Sequence, residues 1–223
     1  GRLQLPCFVV IRWRLLKKAE LALYQTLPVA LLDCTIESHC HFCKQKALEQ
    51  WELKQDPMDS STQLAPLSSR RAADSVRKQI ENAVKQGAIA TEVGEKVPQQ
   101  GAFVQPTILT NVTPDNPAWY EEFFGPVSMI IKARDDEDAV RIANDSHFGL
   151  GGSIFTADTR YGYALAKKIT TGMVFINHPT MVKADLPFGG VKRSGYGREL
   201  LGLGLKEFVN HKLIDVVDID APF

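Results

Sequence analysis

The stretch VSMIIKARDDEDAVRIANDSHFGLGGSIFTADTRYGYALAKKITTGMVFIN, residues 127–177, decides the fold. Val127 to Lys132 is rich in β-formers, Asp135 or Asp136 caps a helix running through Asn144, and Leu150 to Thr156 is a second strand. Asp158 opens a further helix carrying Tyr161, Leu165 and Ile169. Gly172 stops that helix, and Met173 to Asn177 forms a third strand. A β-α-β-α-β alternation with short links requires right-handed crossovers. The fold class is therefore α/β, a parallel sheet with helices on both faces, and ligands are expected at the carboxyl ends of the strands.

Working outward, Ser68 or Ser69 caps a helix whose apolar face reads Ala72, Val76, Ile80 and Val84, and Gly87 ends it. Phe103 to Thr110, broken by Pro106, reads as an irregular edge strand, and Thr113 to Pro117 has turn chemistry. Beyond residue 177 come a glycine-rich loop from Phe188 to Gly197, a helix from about Glu199 to Val209 and a last apolar strand, Leu213 to Val217. That strand is suited to pairing with another subunit. Residues 1–55 hold apolar residues in no sustained period and are expected to be poorly defined; residues 56–223 form the ordered domain.

Composition narrows the function classes. The 223 residues are 44% hydrophobic and 23% charged, enough for a buried core. Twenty-six basic residues balance twenty-six acidic ones, so no global field draws the chain to nucleic acid or anionic lipid. The apolar stretch Leu3 to Ile11 is interrupted by Pro6 and followed by Arg12 and Arg14, too short to span a bilayer. It lacks the cleavage site of a signal peptide, and the chain opens on Gly1, so the N-terminus is read as a cut end. Cys7, Cys34, Cys40 and Cys43 all lie near the start and stitch nothing downstream, which fits a reducing cytoplasm. The run His39-Cys40-His41-Phe42-Cys43 contains one C-x-x-C. A structural zinc site needs a second ligand pair at a distance, so an incidental cluster is the expectation, with no metal assigned.

No G-x-G-x-x-G follows a strand, and neither G-x-x-x-x-G-K-[ST] nor G-x-S-x-G occurs, so dinucleotide fingerprint, triphosphate cradle and hydrolase elbow all lack support. Three clusters remain. Glu121-Glu122-Phe123-Phe124-Gly125-Pro126-Val127 places two acids and two aromatics before a strand. A carboxylate there is able to bind sugar hydroxyls, and the plain alternative is a turn with solvated acids over a buried phenylalanine. Leu186 to Glu199, with four glycines in close succession, either lets backbone approach a ligand or forms a tight structural loop. Asn144-Asp145-Ser146-His147-Phe148-Gly149-Leu150-Gly151 is a helix stop leading into a strand, and such a stretch often merely connects.

Taken in order and spacing, these clusters resemble the aldehyde dehydrogenase superfamily, whose catalytic domain carries E-E-x-F-G-P, then N-D-x-x-F-G-L, then P-F-G-G-x-K-x-S-G-x-G-R-E. The resemblance extends to Asp56-Pro57-Met58-Asp59 with Ser61-Thr62, Pro66-Leu67, Pro106-Thr107, Asn111-Val112, Gly172-Met173-Val174 and Glu207-Phe208. Phe175-Ile176-Asn177 and Arg193 to Gly197 look most like bacterial succinate-semialdehyde dehydrogenases. The resemblance implies NAD(P)-dependent oxidation of a small-molecule aldehyde to a carboxylate, with NAD or NADP as cofactor. It implies that Glu122 holds the nicotinamide ribose and Phe124 packs by the nicotinamide. Phe188 would line the aldehyde pocket, and the stretch Asn177 to Leu186 would anchor the far end of the substrate, with Lys183 either pairing with a carboxylate there or simply solvated.

The same resemblance exposes gaps. Family chemistry needs a thiolate nucleophile and a glutamate that activates water. Leu16 to Pro28 resembles the L-E-L-G-G region, but Ala22 occupies the base position and Tyr24 and Gln25 replace its two glycines. Glu20, two residues earlier, would face the same side of a strand yet sit one pleat away. No G-Q-x-C occurs. Val29 to Glu37 resembles the next family strand, and Ser38 to Lys44 then leads directly to a helix resembling Ala47 to Leu53, an interval short by a supersecondary unit. Cys40 and Cys43 lie beside that gap rather than at the nucleophile's place. No catalytic residue is assigned, the N-terminal cofactor domain is read as missing, and the truncated chain is expected to be inactive alone. The alternative is a non-catalytic fragment, a homo-oligomer or the partner of an intact subunit, assembled through the Leu213 to Val217 strand.

Overall fold

The computed structural model describes residues 64–156, 158–178 and 180–222, together with the backbone of 7–11 and 29–33. The region around Ala22, the Cys40–Cys43 cluster, the 47–53 helix and the Asp56 to Thr62 motif lie outside the described residues. A seven-stranded sheet runs through the described chain: β1 (Cys7–Ile11), β2 (Val29–Asp33), β3 (Ile89–Glu92), β4 (Thr107–Thr110), β5 (Val127–Ala133), β7 (Gly151–Phe155) and β8 (Met173–Ile176). Its spatial order is β3-β4-β5-β2-β1-β7-β8. Every pairing is parallel except β3 with β4.

The strands and helices read from residues 127–177 form, but they are not spatial neighbours throughout. β2 and β1 sit between β5 and β7. The helix joining β5 to β7, α2 (Asp136–Asn144), therefore crosses two intervening strands and packs over β5, β2 and β1. Along β5 burial alternates, with Val127, Met129, Ile131 and Ala133 inward, as the two-residue pleat dictates. Asp135 caps α2 by accepting from the Asp138 amide at 2.8 Å, and Asp136, Glu137 and Asp138 fill the first turn, where the helix dipole favours anions. Asp158 caps α3 (Thr159–Ala166) through the amides of Arg160 and Tyr161, both at 3.0 Å. A Cβ at Gly162 would stand 2.8 Å from the Thr156 methyl, so this glycine sets how closely α3 lies on the sheet.

Helix α1 (Arg70–Lys85) starts at Ser69, whose hydroxyl accepts from the Ala72 amide at 3.1 Å. Its buried face is Ala73, Val76 and Ala83 with Ile80 partly covered, whereas Val84 is 44% exposed. The expected face at a strict spacing of four was therefore wrong at its ends. Three such steps rotate about 120° around a helix of 3.6 residues per turn, so alternating three and four keeps one side inward. β4 begins directly after Pro106, but it is an inner strand, because the unforeseen β3 covers its outer edge. Ala88 is buried while Ile89 and Ala90 are exposed, so 88–92 lacks the alternation that announces a strand.

The C-terminal helix α4 (Leu201–Lys206) is shorter than the 199–209 expectation. Leu213 to Val217 form no strand in the single chain: their flanks are unpaired by any described strand, and Leu213, Ile214 and Val216 are almost fully exposed. A strand exists only with a partner edge. Among the described residues no helix is long and apolar enough to cross a membrane.

Candidate functional site

The three motifs converge, and they do so at the amino ends of the parallel strands rather than the carboxyl ends where ligands were expected. The first motif immediately precedes β5 and the second immediately precedes β7. The third reaches the same edge because the chain leaving β8 doubles back. Asn177, at φ 56°, clasps Thr156 through its side-chain amide, accepting from the Thr156 amide at 2.8 Å and donating to its carbonyl at 2.9 Å. Thr180 is buried with its hydroxyl 3.2 Å from that of Ser153, and its methyl fills the notch left by Gly151. Gly189 then lies against Gly172, where a Cβ would stand 1.9 Å from the Gly189 carbonyl oxygen.

The first motif begins from a buried anchor. Asn116 is 1% exposed, donates to the Ala83 carbonyl at 2.9 Å and accepts from the Ala118 amide at 3.0 Å, fixing the 3-10 turn Pro117–Trp119 against the end of α1. Phe123 is buried in the core, and Gly125 lets the backbone press on Val76. Gln79 donates to the Glu121 carboxylate at 3.3 Å and to the Glu122 carbonyl at 3.2 Å. Glu122 is half-buried, and burial pushes its carboxyl above the ordinary range. Phe124, two residues on, is 66% exposed, a large aromatic side chain left open. The plain reading of the motif, an acidic turn over a buried phenylalanine, thus describes Glu121 and Phe123 but leaves Glu122 and Phe124 available for a ligand.

The second and third motifs form one structure. β6 (Phe148–Gly149) and β9 (Val191–Lys192) pair antiparallel, Phe148 opposite Lys192 and Gly149 opposite Val191. The Ser194 hydroxyl accepts from the Gly149 amide at 3.0 Å, and the Arg193 amide donates to the His147 carbonyl at the same distance. Lys192 donates to the carbonyls of Asn144 at 2.8 Å and Ser146 at 3.0 Å, and burial lowers its pKa. The Asn144 side chain in turn accepts from Thr170 at 2.7 Å and donates to the Lys168 carbonyl at 2.8 Å. Phe188 is half-buried, its amide and carbonyl paired with those of Glu199. Lys183 lies on the exposed stretch 182–187, its carbonyl accepting from the Leu186 amide at 3.2 Å.

Trp119, Tyr120 and Asp145 had no place among the sequence-derived site residues, yet they join the first motif to the second. Asp145 accepts from the Trp119 indole at 3.0 Å and from the Tyr120 hydroxyl at 3.2 Å, and Tyr120 stacks on His147 with ring centroids 5.0 Å apart. The Tyr120 hydroxyl is held above its ordinary pKa, first by desolvation and then by the Asp145 carboxylate. The two hydrogen bonds span 25 and 26 residues and have no local signature. Beside them an open groove of about 450 Å³ is lined by Ser146, His147, Lys192, Arg193, Gly195 and Tyr196. Among the described residues no group of three or more His, Cys, Asp or Glu side chains is placed to hold a metal.

Comparison with known proteins accounts for this arrangement. The profile of the aldehyde dehydrogenase family matches residues 39–214. Succinate-semialdehyde dehydrogenase [NADP(+)] of Deinococcus radiodurans is 52% identical over 159 residues, which is 71% of this chain and 33% of that protein. The corresponding Mycobacterium tuberculosis protein, succinate-semialdehyde dehydrogenase [NADP(+)] 1, is 41% identical over 71% of this chain and 35% of its own length. Among solved structures, succinic semialdehyde dehydrogenase from Streptococcus pyogenes in complex with NADP+ superposes with a TM-score of 0.84 at 38% identity, covering 96% of this chain and 49% of that one. Aldehyde dehydrogenase from Bacillus cereus gives 0.82 at 28% identity over 91% of this chain and 43% of its own. The chain spans about a third of the length of the curated relatives it matches. With its three motifs folded into one edge of a parallel sheet and the family profile matched across 39–214, this chain belongs to the aldehyde dehydrogenase family.

Proposed function

We propose that this chain carries the cofactor-facing and substrate-loop portion of an NADP-linked succinate-semialdehyde dehydrogenase, and that by itself it does not turn over. The observation that carries the reading is that Glu122 and Phe124 and the Phe188 loop are placed at the same edge of the sheet, joined through Trp119, Tyr120 and the 144–147 turn, in a chain 52% identical to a protein named for that reaction. A half-buried carboxylate two residues before an open phenyl side chain fits the ribose and ring of a nicotinamide nucleotide: the carboxylate accepts hydroxyls and the ring takes up apolar area. When bound, that group would accept hydride from the aldehyde carbon. NAD in place of NADP would fit these two residues equally, since the nicotinamide ring and its ribose are common to both. Phe188 would cover the aldehyde, and Lys183 would meet a terminal carboxylate from the 182–187 stretch.

Inactivity of the chain alone follows from the sequence: G-Q-x-C is absent, and Ala22 stands where the resemblance calls for a glutamate. The test is NADPH and NADH formation by the purified chain with succinate semialdehyde and a short aliphatic aldehyde, beside a Cys40→Ala, Cys43→Ala double variant. No turnover in either is expected. Turnover that disappears in the double variant would place a nucleophile at the cysteine pair and overturn the proposed inactivity.

A second reading rests on one feature, the bare apolar segment Leu213 to Val217. There the chain acts as a non-catalytic cytoplasmic partner, supplying that segment as a strand to an intact subunit or to a second copy of itself. A monomer by sedimentation, both alone and mixed with an intact relative, would remove this reading.

A further inference from the structure

Asp145 terminates α2, its amide donating to the carbonyls of Arg141 at 3.0 Å and Ile142 at 3.1 Å. Its side chain faces the first motif, accepting from Trp119 at 3.0 Å and Tyr120 at 3.2 Å, directly before Glu121 and Glu122. The carbonyls of the two residues flanking it serve the third motif instead. The Asn144 and Ser146 carbonyls both receive the ammonium of Lys192, and the next carbonyl, that of His147, receives the Arg193 amide at 3.0 Å. One four-residue turn thus grips the segment leading to Glu122 and Phe124 with the Asp145 carboxylate and the His147 ring, and the loop bearing Phe188 with its backbone. Main-chain carbonyls aimed at Lys192 hold their direction only while the turn keeps its conformation, and the indole and phenol on Asp145 restrain that turn from its opposite side.

We propose that Asp145 is a positioning residue that fixes the Glu122–Phe124 segment in register with the Phe188 loop, through the shared turn 144–147. The roles of Glu122, Phe124 and Phe188 rest on the function proposed above; the mechanical link does not. Because the link needs no bound ligand, it is read in the chain itself by amide hydrogen exchange followed segment by segment. Asp145→Ala is expected to speed exchange about tenfold in 119–126, and Lys192→Met about tenfold in 186–199. If one turn serves both, each substitution also speeds exchange in the other segment, by about threefold, while α1 and β5 stay unchanged. Asp145→Asn should restore most protection: its amide oxygen accepts from Trp119, and its NH2 group donates to a Tyr120 hydroxyl that has turned to accept.

Three results overturn the proposal: effects confined to the substituted residue's own contacts with no cross-effect, uniform acceleration that includes α1 and β5, or no rescue by Asn. A chain that neither binds nucleotide nor oxidises aldehyde leaves this test intact, so failure of the link and failure of the functional reading are told apart.

Discussion

Replacing Gly172 by alanine tests whether the glycine-rich loop is locked to the strands as described. The added Cβ would stand 1.9 Å from the Gly189 carbonyl oxygen, 2.7 Å from its carbon and 2.8 Å from the Gly190 Cα. All three are backbone atoms, so no side chain is able to swing away. A carbon–oxygen contact settles near 3.3 Å, so the loop must retreat by about 1.4 Å or β8 must shift. Backbone displacement of this kind costs about 3 kcal/mol, because it also strains the Gly172 amide's hydrogen bond to the Gly149 carbonyl and the β6–β9 pairing beyond it. For a chain of this length that corresponds to a fall of about 6–12 °C in melting temperature, followed by circular dichroism. Gly202→Ala is the control, since nothing lies within 4 Å of its Cβ and it sits in a helix, where alanine is favoured by about 1 kcal/mol. A Gly172→Ala chain that melts within 1–2 °C of the parent would show that the 189–190 backbone does not lie where the structure places it.

Asp138 receives Arg134 at 3.2 Å and Arg141 at 2.8 Å, contacts that hold its carboxyl far below the usual range. The folded value is depressed, so its contribution is full above about pH 4 and is lost as pH falls through the folded value. Asp138→Asn should therefore lower stability by about 1 kcal/mol at neutral pH, both arginines being largely exposed, and by progressively less in acid melts. Asn116→Leu leaves the Ala118 amide without its partner inside the core and takes one of several donors from the Ala83 carbonyl, and should cost about 1–3 kcal/mol in urea unfolding. Glu122 has the opposite sign to Asp138: burial raises its folded value, so its ionised form costs stability as pH rises through that value. Glu122→Gln should raise the melting temperature at pH 7 and leave it unchanged at pH 4, a change expected of a residue kept for binding rather than for stability.

The repeating β-α-β-α-β pattern was legible because each cap and each apolar period is local: Asp135, Asp158 and Ser69 do in the structure what their positions suggest. The strand order was not legible, since nothing within 127–177 signals that β2 and β1 enter between β5 and β7. The three motifs were visible as strings, whereas their meeting depends on Asn177, Thr180 and Gly172 turning the chain back to the amino edge through contacts distant in sequence. Asp145 stood within the second motif, but its bridging role was hidden for the same reason: its partners are two aromatic side chains 25 and 26 residues away. Leu213 to Val217 read as a strand because hydrophobicity records that a segment is able to pair, but not whether a partner edge is at hand.

Residues 64–222 should serve as a competent segment of a family enzyme. That is tested most directly by exchange: the matching third of the 52% identical Deinococcus radiodurans protein is replaced by this chain's residues, and NADP-dependent oxidation of succinate semialdehyde is measured. An active chimera is expected, its kcat/KM falling at least about tenfold on Glu122→Gln, with no turnover by this chain alone. A folded chimera with no activity, or one indifferent to Glu122→Gln, would contradict that.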